Sequence, residues 1–186
     1  GSLVTASSCA PSGDSSLKQN VKEGEDGQFL FIGDDIAIAQ TEYGKVQGYL
    51  LNHVYTFLGV PYGADTSGKN RFMPPQKPEP WTDVRPAVFY GNTAPQRMEN
   101  RWPNNYGTFA DHWNYWDVSE DCLYLNVWTP GIADGKKRPV LVWLHGGGFT
   151  NGSGIEQDGY HGENISREGN IVFCSINHRL GPIGFS

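Results

Sequence analysis

Hydrophobic and polar positions change over every few residues between Asp35 and Phe57, and three short stretches there read as strands. They are Asp35–Gln40, Tyr43–Leu50 and Val54–Phe57, with turns at Gly44-Lys45 and Leu51-Asn52-His53. Strands this close together predict an antiparallel meander, because a parallel crossover needs a dozen or more residues. The pattern then breaks. Prolines at 61, 74, 75, 78, 80 and 86 exclude long helices and predict an extended, ordered path over a surface. The second half is more regular. Leu123–Trp128 reads as a strand closed by Thr129-Pro130-Gly131, and a charged turn from Asp134 to Arg138 leads into Pro139–Leu144. That unbroken apolar run has the pattern of a strand buried on both faces of a parallel sheet. Gly159–Glu168 fits a short helix and Ile171–Ile176 a second buried strand, so the segment predicts the βαβ unit of an α/β protein.

Two segments carry no such period. Residues 1–28 are rich in Ser, Gly, Lys and Glu, lack the apolar centre of a signal peptide, and read as a polar leader ahead of one domain spanning 29–186. Cys9 in Ala6-Ser7-Ser8-Cys9 has the alternative reading of a lipid-attachment cysteine, though the residues before it fit that pattern poorly. Asn92–Ser119 is long, aperiodic and loaded with Trp102, Trp113 and Trp116. Two readings stand side by side: a functional loop, or rings packed onto the body of the domain.

Composition narrows the class. The formal charge of −6, without a basic stripe, argues against a nucleic-acid partner. The longest apolar run, Val140–Leu144, falls far short of the ~20 residues of a membrane span. Cys9, Cys122 and Cys174 have neither CxxC spacing nor a histidine cluster beside them, so no zinc site is expected. The chemistry concentrates in His145-Gly146-Gly147-Gly148-Phe149, directly after an apolar strand. Glycines at the end of a strand leave consecutive N–H groups unshielded and free to converge, which makes an anion receptor. A phosphate cradle would need a Lys-Ser/Thr ending or GxGxxG opening a helix, and neither is present. The competing target is the transient oxyanion of acyl transfer, served by an HGGG element. A plain glycine turn without a ligand is the remaining reading.

A family resemblance now covers most of the chain. Glu120-Asp121-Cys122-Leu123-Tyr124-Leu125-Asn126 resembles the EDCLYLN signature of type-B carboxylesterases, the cholinesterase-like branch of the α/β-hydrolases. Phe57-Leu58-Gly59-Val60-Pro61-Tyr62-Gly63 is similar to their F-x-G-I-P-Y-A element. Arg71-Phe72, Pro74-Pro75, Pro80-Trp81, Val142–Phe149, Gly152-Ser153-Gly154 and Asn177-His178-Arg179-Leu180-Gly181 follow in the family's order. The last is close to N-Y-R-L-G, with His178 in place of Tyr. The nearest flavour is the para-nitrobenzyl-esterase-like group. The resemblance implies an α/β-hydrolase fold, N-terminal part, with a short antiparallel meander before strands of a mostly parallel central sheet. It implies that the amides of Gly147 and Gly148 form two arms of an oxyanion hole, the third following a nucleophilic serine. Arg71 and Glu120 would form a partly buried, structural ion pair. Trp113 and Trp116, with Phe149, would face the substrate at the mouth of the active site.

Two departures qualify the match. Ala94, ahead of Pro95-Gln96, stands where the family often has a cysteine bridged to that of EDC, so Cys122 is expected reduced and buried. The nucleophile elbow G-x-S-x-G occurs nowhere in these residues, and Ser153 lies in the wrong kind of loop to replace it. The five histidines, His53, His112, His145, His161 and His178, read as structural or solvent-facing and not as a triad base. The expectation is the oxyanion-hole part of a serine carboxylic-ester hydrolase, inactive alone, with nucleophile and triad beyond this chain. Its partners would be a small carboxylic ester and the rest of the same hydrolase, with no cofactor, no metal, no nucleic acid and no membrane span. A secreted or periplasmic location is expected. The rival reading is a non-catalytic, cholinesterase-like adhesion module.

Overall fold

The β-rich runs of the first half do become strands, but they divide between two sheets. In the computed structural model, which describes residues 30–97 and 117–185, β1 (Leu30–Phe31), β2 (Ile38–Gln40), β3 (Lys45–Gln47), β4 (Tyr49–Leu51) and β5 (Val54–Pro61) are followed by β6 (Arg85–Pro86). Then come β7 (Tyr124–Thr129), β8 (Val140–Leu144), α1 (Glu163–Gly169) and β9 (Val172–Ile176). The large sheet has the order β1-β4-β5-β7-β9-β8, and a small one the order β2-β3-β6. Neighbours are antiparallel except β3–β6 and β8–β9.

The stretch read as one strand from Tyr43 to Leu50 breaks at Gly48, and β3 and β4 join different sheets. The reason is contact: a Cβ at Gly48 would strike the Thr56 carbonyl oxygen, so only glycine lets the chain cross β5 this closely. The expected turn at Asn52-His53 is present, both residues having positive φ, +48° and +65°. That geometry suits the twist of a tight hairpin between β4 and β5. A register shift between Phe57 and Val60 marks a bulge in β5. The buried Asn126 caps it, accepting from the Gly59 N–H at 3.0 Å and donating to Ser175 Oγ at 3.1 Å. Val54, Leu58, Trp128 and Phe173 form one core cluster; Ala37, Val46, Phe57, Val60 and Ala87 form another.

The βαβ expectation holds, since β8 and β9 are parallel neighbours joined through α1. A further expectation fails. β8 is not buried on both faces: it pairs with β9 alone, and Val140, Val142 and Leu144 are 63%, 53% and 64% exposed. An apolar run records that a strand is made to be covered without saying by what, and no described element covers this edge. Among the described residues, no helix is long and apolar enough to cross a membrane.

Candidate active site

β8 delivers the chain to the glycine turn at its carboxyl end, where ligands bind in open α/β sheets. The backbone then runs through positive φ at Gly147 (+122°), Gly148 (+60°) and Phe149 (+61°). The Gly147 carbonyl is turned inward, accepting from the Thr150 and Asn151 N–H groups at 3.1 and 3.3 Å and from the Thr150 hydroxyl at 3.0 Å. Carbonyl and N–H of one trans peptide point opposite ways, so the Gly148 N–H is turned outward. Among the described residues no group accepts from the N–H of Gly147 or Gly148. Two adjacent free donors at a strand end can receive one anionic oxygen. The two positions differ sterically. A Cβ at Gly147 would strike the Asn151 carbonyl oxygen, whereas one at Gly148 meets nothing within 4 Å.

The turn is braced by residues that sequence reasoning passed over. Gln96 brackets Gly152, donating Nε2–H to its carbonyl at 2.9 Å and accepting its N–H on Oε1 at 2.8 Å. Asn177 accepts the Gly154 N–H at 2.8 Å and donates to the Asn92 carbonyl at 3.0 Å. Gly181 N–H donates to the Phe149 carbonyl at 2.7 Å. An amide side chain can donate and accept at once, which suits both to bracing a loop, but nothing local in the sequence marks which loop each will meet. Phe149 itself is exposed and packs against Phe185 with ring centroids 4.6 Å apart.

Ser153 is fully buried, with Oγ accepting from the Ile155 N–H at 3.3 Å, so it presents no nucleophile. Cys122 and Cys174 are free and buried. Burial pushes the Cys122 thiol up to about 12, with Asp121 adding to it, and the Cys174 thiol up to about 11, so neither supplies a thiolate. Ala94 packs in one cluster with Cys122, Leu123 and Leu180. The Arg71–Glu120 pair forms in the expected place, with Nε 2.7 and 2.9 Å from the two carboxylate oxygens and Nη2 2.8 Å from Oε2. It lies nearer the surface than expected, the two side chains being 49% and 21% exposed. Trp113 and Trp116 lie outside the described residues. The base of their loop is closed without a disulfide: Thr93 N–H donates to Asp117 O at 2.8 Å, and Ser119 N–H to Thr93 O at 3.0 Å. A cavity of about 330 Å³ lined by Tyr90, Trp128, Tyr160 and His161 includes no residue of the glycine turn. Among the described residues no group of three His, Cys, Asp or Glu is placed to hold a metal ion.

Comparison with known proteins places these features in context. The pattern of the carboxylesterase family matches residues 35–186. Phenmedipham hydrolase of Pseudarthrobacter oxydans is 44% identical over 148 residues, covering 80% of this chain and 29% of the hydrolase. Para-nitrobenzyl esterase of Bacillus subtilis (strain 168) is 39% identical over 151 residues, 80% of this chain and 28% of that enzyme. Among solved structures, an esterase from anaerobic Clostridium hathewayi that can hydrolyze aliphatic aromatic polyesters superposes with a TM-score of 0.75 at 36% identity. The match covers 85% of this chain and 30% of that one. The chain thus spans under a third of the length of each of these relatives.

Proposed function

This chain belongs to the carboxylesterase family and has the N-terminal part of the α/β-hydrolase fold; on that premise we propose that it carries the oxyanion-hole part of a serine carboxylic-ester hydrolase. The observation that carries the proposal is the pair of free N–H groups at Gly147 and Gly148, turned outward at the end of β8. The assembled reaction is acylation of a serine by the ester with loss of the alcohol, then hydrolysis of the acyl-enzyme by water. Through both tetrahedral stages the two glycine amides hold the oxyanion, donors already in place where negative charge develops. Serine, histidine and acid come from the part of the hydrolase outside these 186 residues; the buried Ser153 and the protonated cysteines support that division. That same part covers the open edge and apolar faces of β8, which a soluble protein does not leave bare.

Phe149 and the loop bearing Trp113 and Trp116 form the wall that selects the acyl or alcohol group. A small carboxylic ester is the substrate class, no cofactor takes part, and the site of action is secreted or periplasmic. The test is turnover of p-nitrophenyl esters by the full-length protein and by residues 1–186 alone. Turnover with a burst of p-nitrophenol from the full-length protein only is the expected result. A full-length protein that hydrolyses no ester would return the adhesion-module reading. Activity of residues 1–186 that is abolished by Ser153→Ala would overturn the division of roles.

A further inference from the structure

His145, the residue that opens the glycine turn, has no part in the reaction as set out above, yet the geometry ties it to one of the two donors. The ring is buried, and its Nδ1 lies 2.8 Å from the Gly146 carbonyl oxygen. A carbonyl only accepts, so Nδ1 carries the proton and donates. That carbonyl and the Gly147 N–H belong to one planar trans peptide and point in opposite directions. Holding the Gly146 oxygen against the imidazole therefore fixes where the Gly147 N–H is aimed.

The imidazole is itself held. His178 stacks on it, with ring centroids 4.5 Å apart and planes 3° from parallel. His178 repeats the same local bond, Nδ1–H to the Arg179 carbonyl at 2.9 Å, so its own plane is set by the following peptide. Phe185 meets the His178 ring edge-on at 5.8 Å. On the loop side, a Cβ at Gly152 would come within 2.5 Å of His145 Nδ1, so glycine there keeps the ring's place open. The stack uses the face of His178, and a flat ring of another kind can supply that face.

We propose that the stacked His145–His178 pair is the positioning element of the oxyanion hole: His145 sets the plane of the Gly146–Gly147 peptide, and His178 sets the plane of His145. Neither ring touches substrate. The inference rests on the oxyanion-hole reading above, and the test separates the two.

The experiment uses the full-length protein and the variants His145→Ala, His145→Asn, His178→Ala and His178→Tyr. Turnover is expressed per active site titrated with a phosphonate ester. Alongside it are read KM, the Ki of a trifluoromethyl ketone, and the amide resonance of Gly147 in protein labelled with 15N-glycine. His145→Ala should lower kcat per site ~10²-fold, the scale of a misplaced reacting geometry, with KM within about twofold and the ketone Ki raised in parallel. His145→Asn, whose Nδ2–H stands as many bonds from the backbone as Nδ1–H, should recover most of that loss. His178→Ala should lower kcat less with KM unmoved, and His178→Tyr, which restores a flat face without the Nδ1–H bond to Arg179, should recover most of that loss. The Gly147 resonance should move in His145→Ala and return towards its position in His145→Asn. Unchanged kcat per site in His145→Ala, or fewer titratable sites with kcat per site intact, would overturn the proposal. If the wild type turns over no ester and binds no ketone, the functional reading fails on its own. The Gly147 resonance then decides the positioning, and a resonance unmoved in His145→Ala overturns it.

Discussion

A side chain added at Gly147 should abolish most turnover, while an alanine one residue later should not. At Gly147 φ is +122°, a conformation that holds an L-residue at a cost of about 1–3 kcal/mol. A Cβ there would strike the Asn151 carbonyl oxygen and stand 2.5 Å from Asn151 Oδ1. Relief requires residue 147 to rotate or Asn151 to leave, and either movement breaks the bonds that hold the Gly147 carbonyl inward. The two peptides flanking residue 147 carry both proposed donors, the Gly147 N–H on one side and the Gly148 N–H on the other. Losing one such donor costs ~10²–10³ in kcat, about 2.7–4 kcal/mol, so Gly147→Val should reach at least the upper end of that range. At Gly148, φ is +60° and a Cβ meets nothing within 4 Å. Gly148→Ala therefore pays only the left-handed penalty of about 1–2 kcal/mol, felt in folding, with kcat reduced by less than ~10-fold. The assay is kcat and KM for p-nitrophenyl acetate and butyrate per titrated site in the full-length protein. Ser153→Ala, at a buried hydroxyl that presents no nucleophile, serves as the control that keeps turnover. Equal losses at 147 and 148, or a loss at 147 confined to KM, would refute the assignment of the amides.

Other tests address the frame around the turn. Glu120→Ala should release the proline-rich segment at Arg71, read as faster amide exchange between residues 64 and 76 with kcat nearly intact; unchanged exchange would show the pair to be ornamental. The thiols of Cys122 and Cys174 are pushed up from 9.0 to about 12 and about 11. The folded chain therefore keeps protons that the unfolded chain gives up, and stability falls as pH rises above 9. Cys122→Ala should flatten that alkaline slope in urea midpoints, although Tyr90 and Tyr124, raised to about 12, contribute with the same sign. Ala94 lies in the Cys122 cluster, so Ala94→Cys should form a disulfide closing the intervening loop and stabilise by about 3–4 kcal/mol on chain-entropy grounds; a peptide map of the variant showing the thiols at position 94 and Cys122 both free would refute it. Trp113→Ala should change relative rates among esters and not the chemical step, whereas equal losses for every ester would make the ring a packing residue.

Much of the site was legible because its chemistry is local. Three glycines after an apolar run announce unshielded amides whatever surrounds them, and Arg71 and Glu120 could be paired on motif resemblance alone. The turn at Asn52-His53 and the β8–α1–β9 unit were equally readable, since turn residues and hydrophobic runs act over a few positions. Gln96, Asn177 and the His145–His178 stack were not. Each joins segments dozens of residues apart, and a glutamine or histidine carries no mark in sequence of the loop it will meet.

The sequence by itself determined the main strands of the large sheet, where backbone donors are left unshielded, and that no nucleophile elbow accompanies them. Those properties follow from side-chain volume, β-branching and the freedom of glycine, all of which act within a few residues. Only the tertiary structure decided that, among the described residues, the strand before the glycine turn pairs with β9 alone and shows its apolar side chains. It alone distinguished Gly147, where a Cβ has no room, from Gly148, where it has open space. Strand order is set by which distant edges pair, and room for a Cβ by which distant backbone passes nearby; neither is written in the period of the chain.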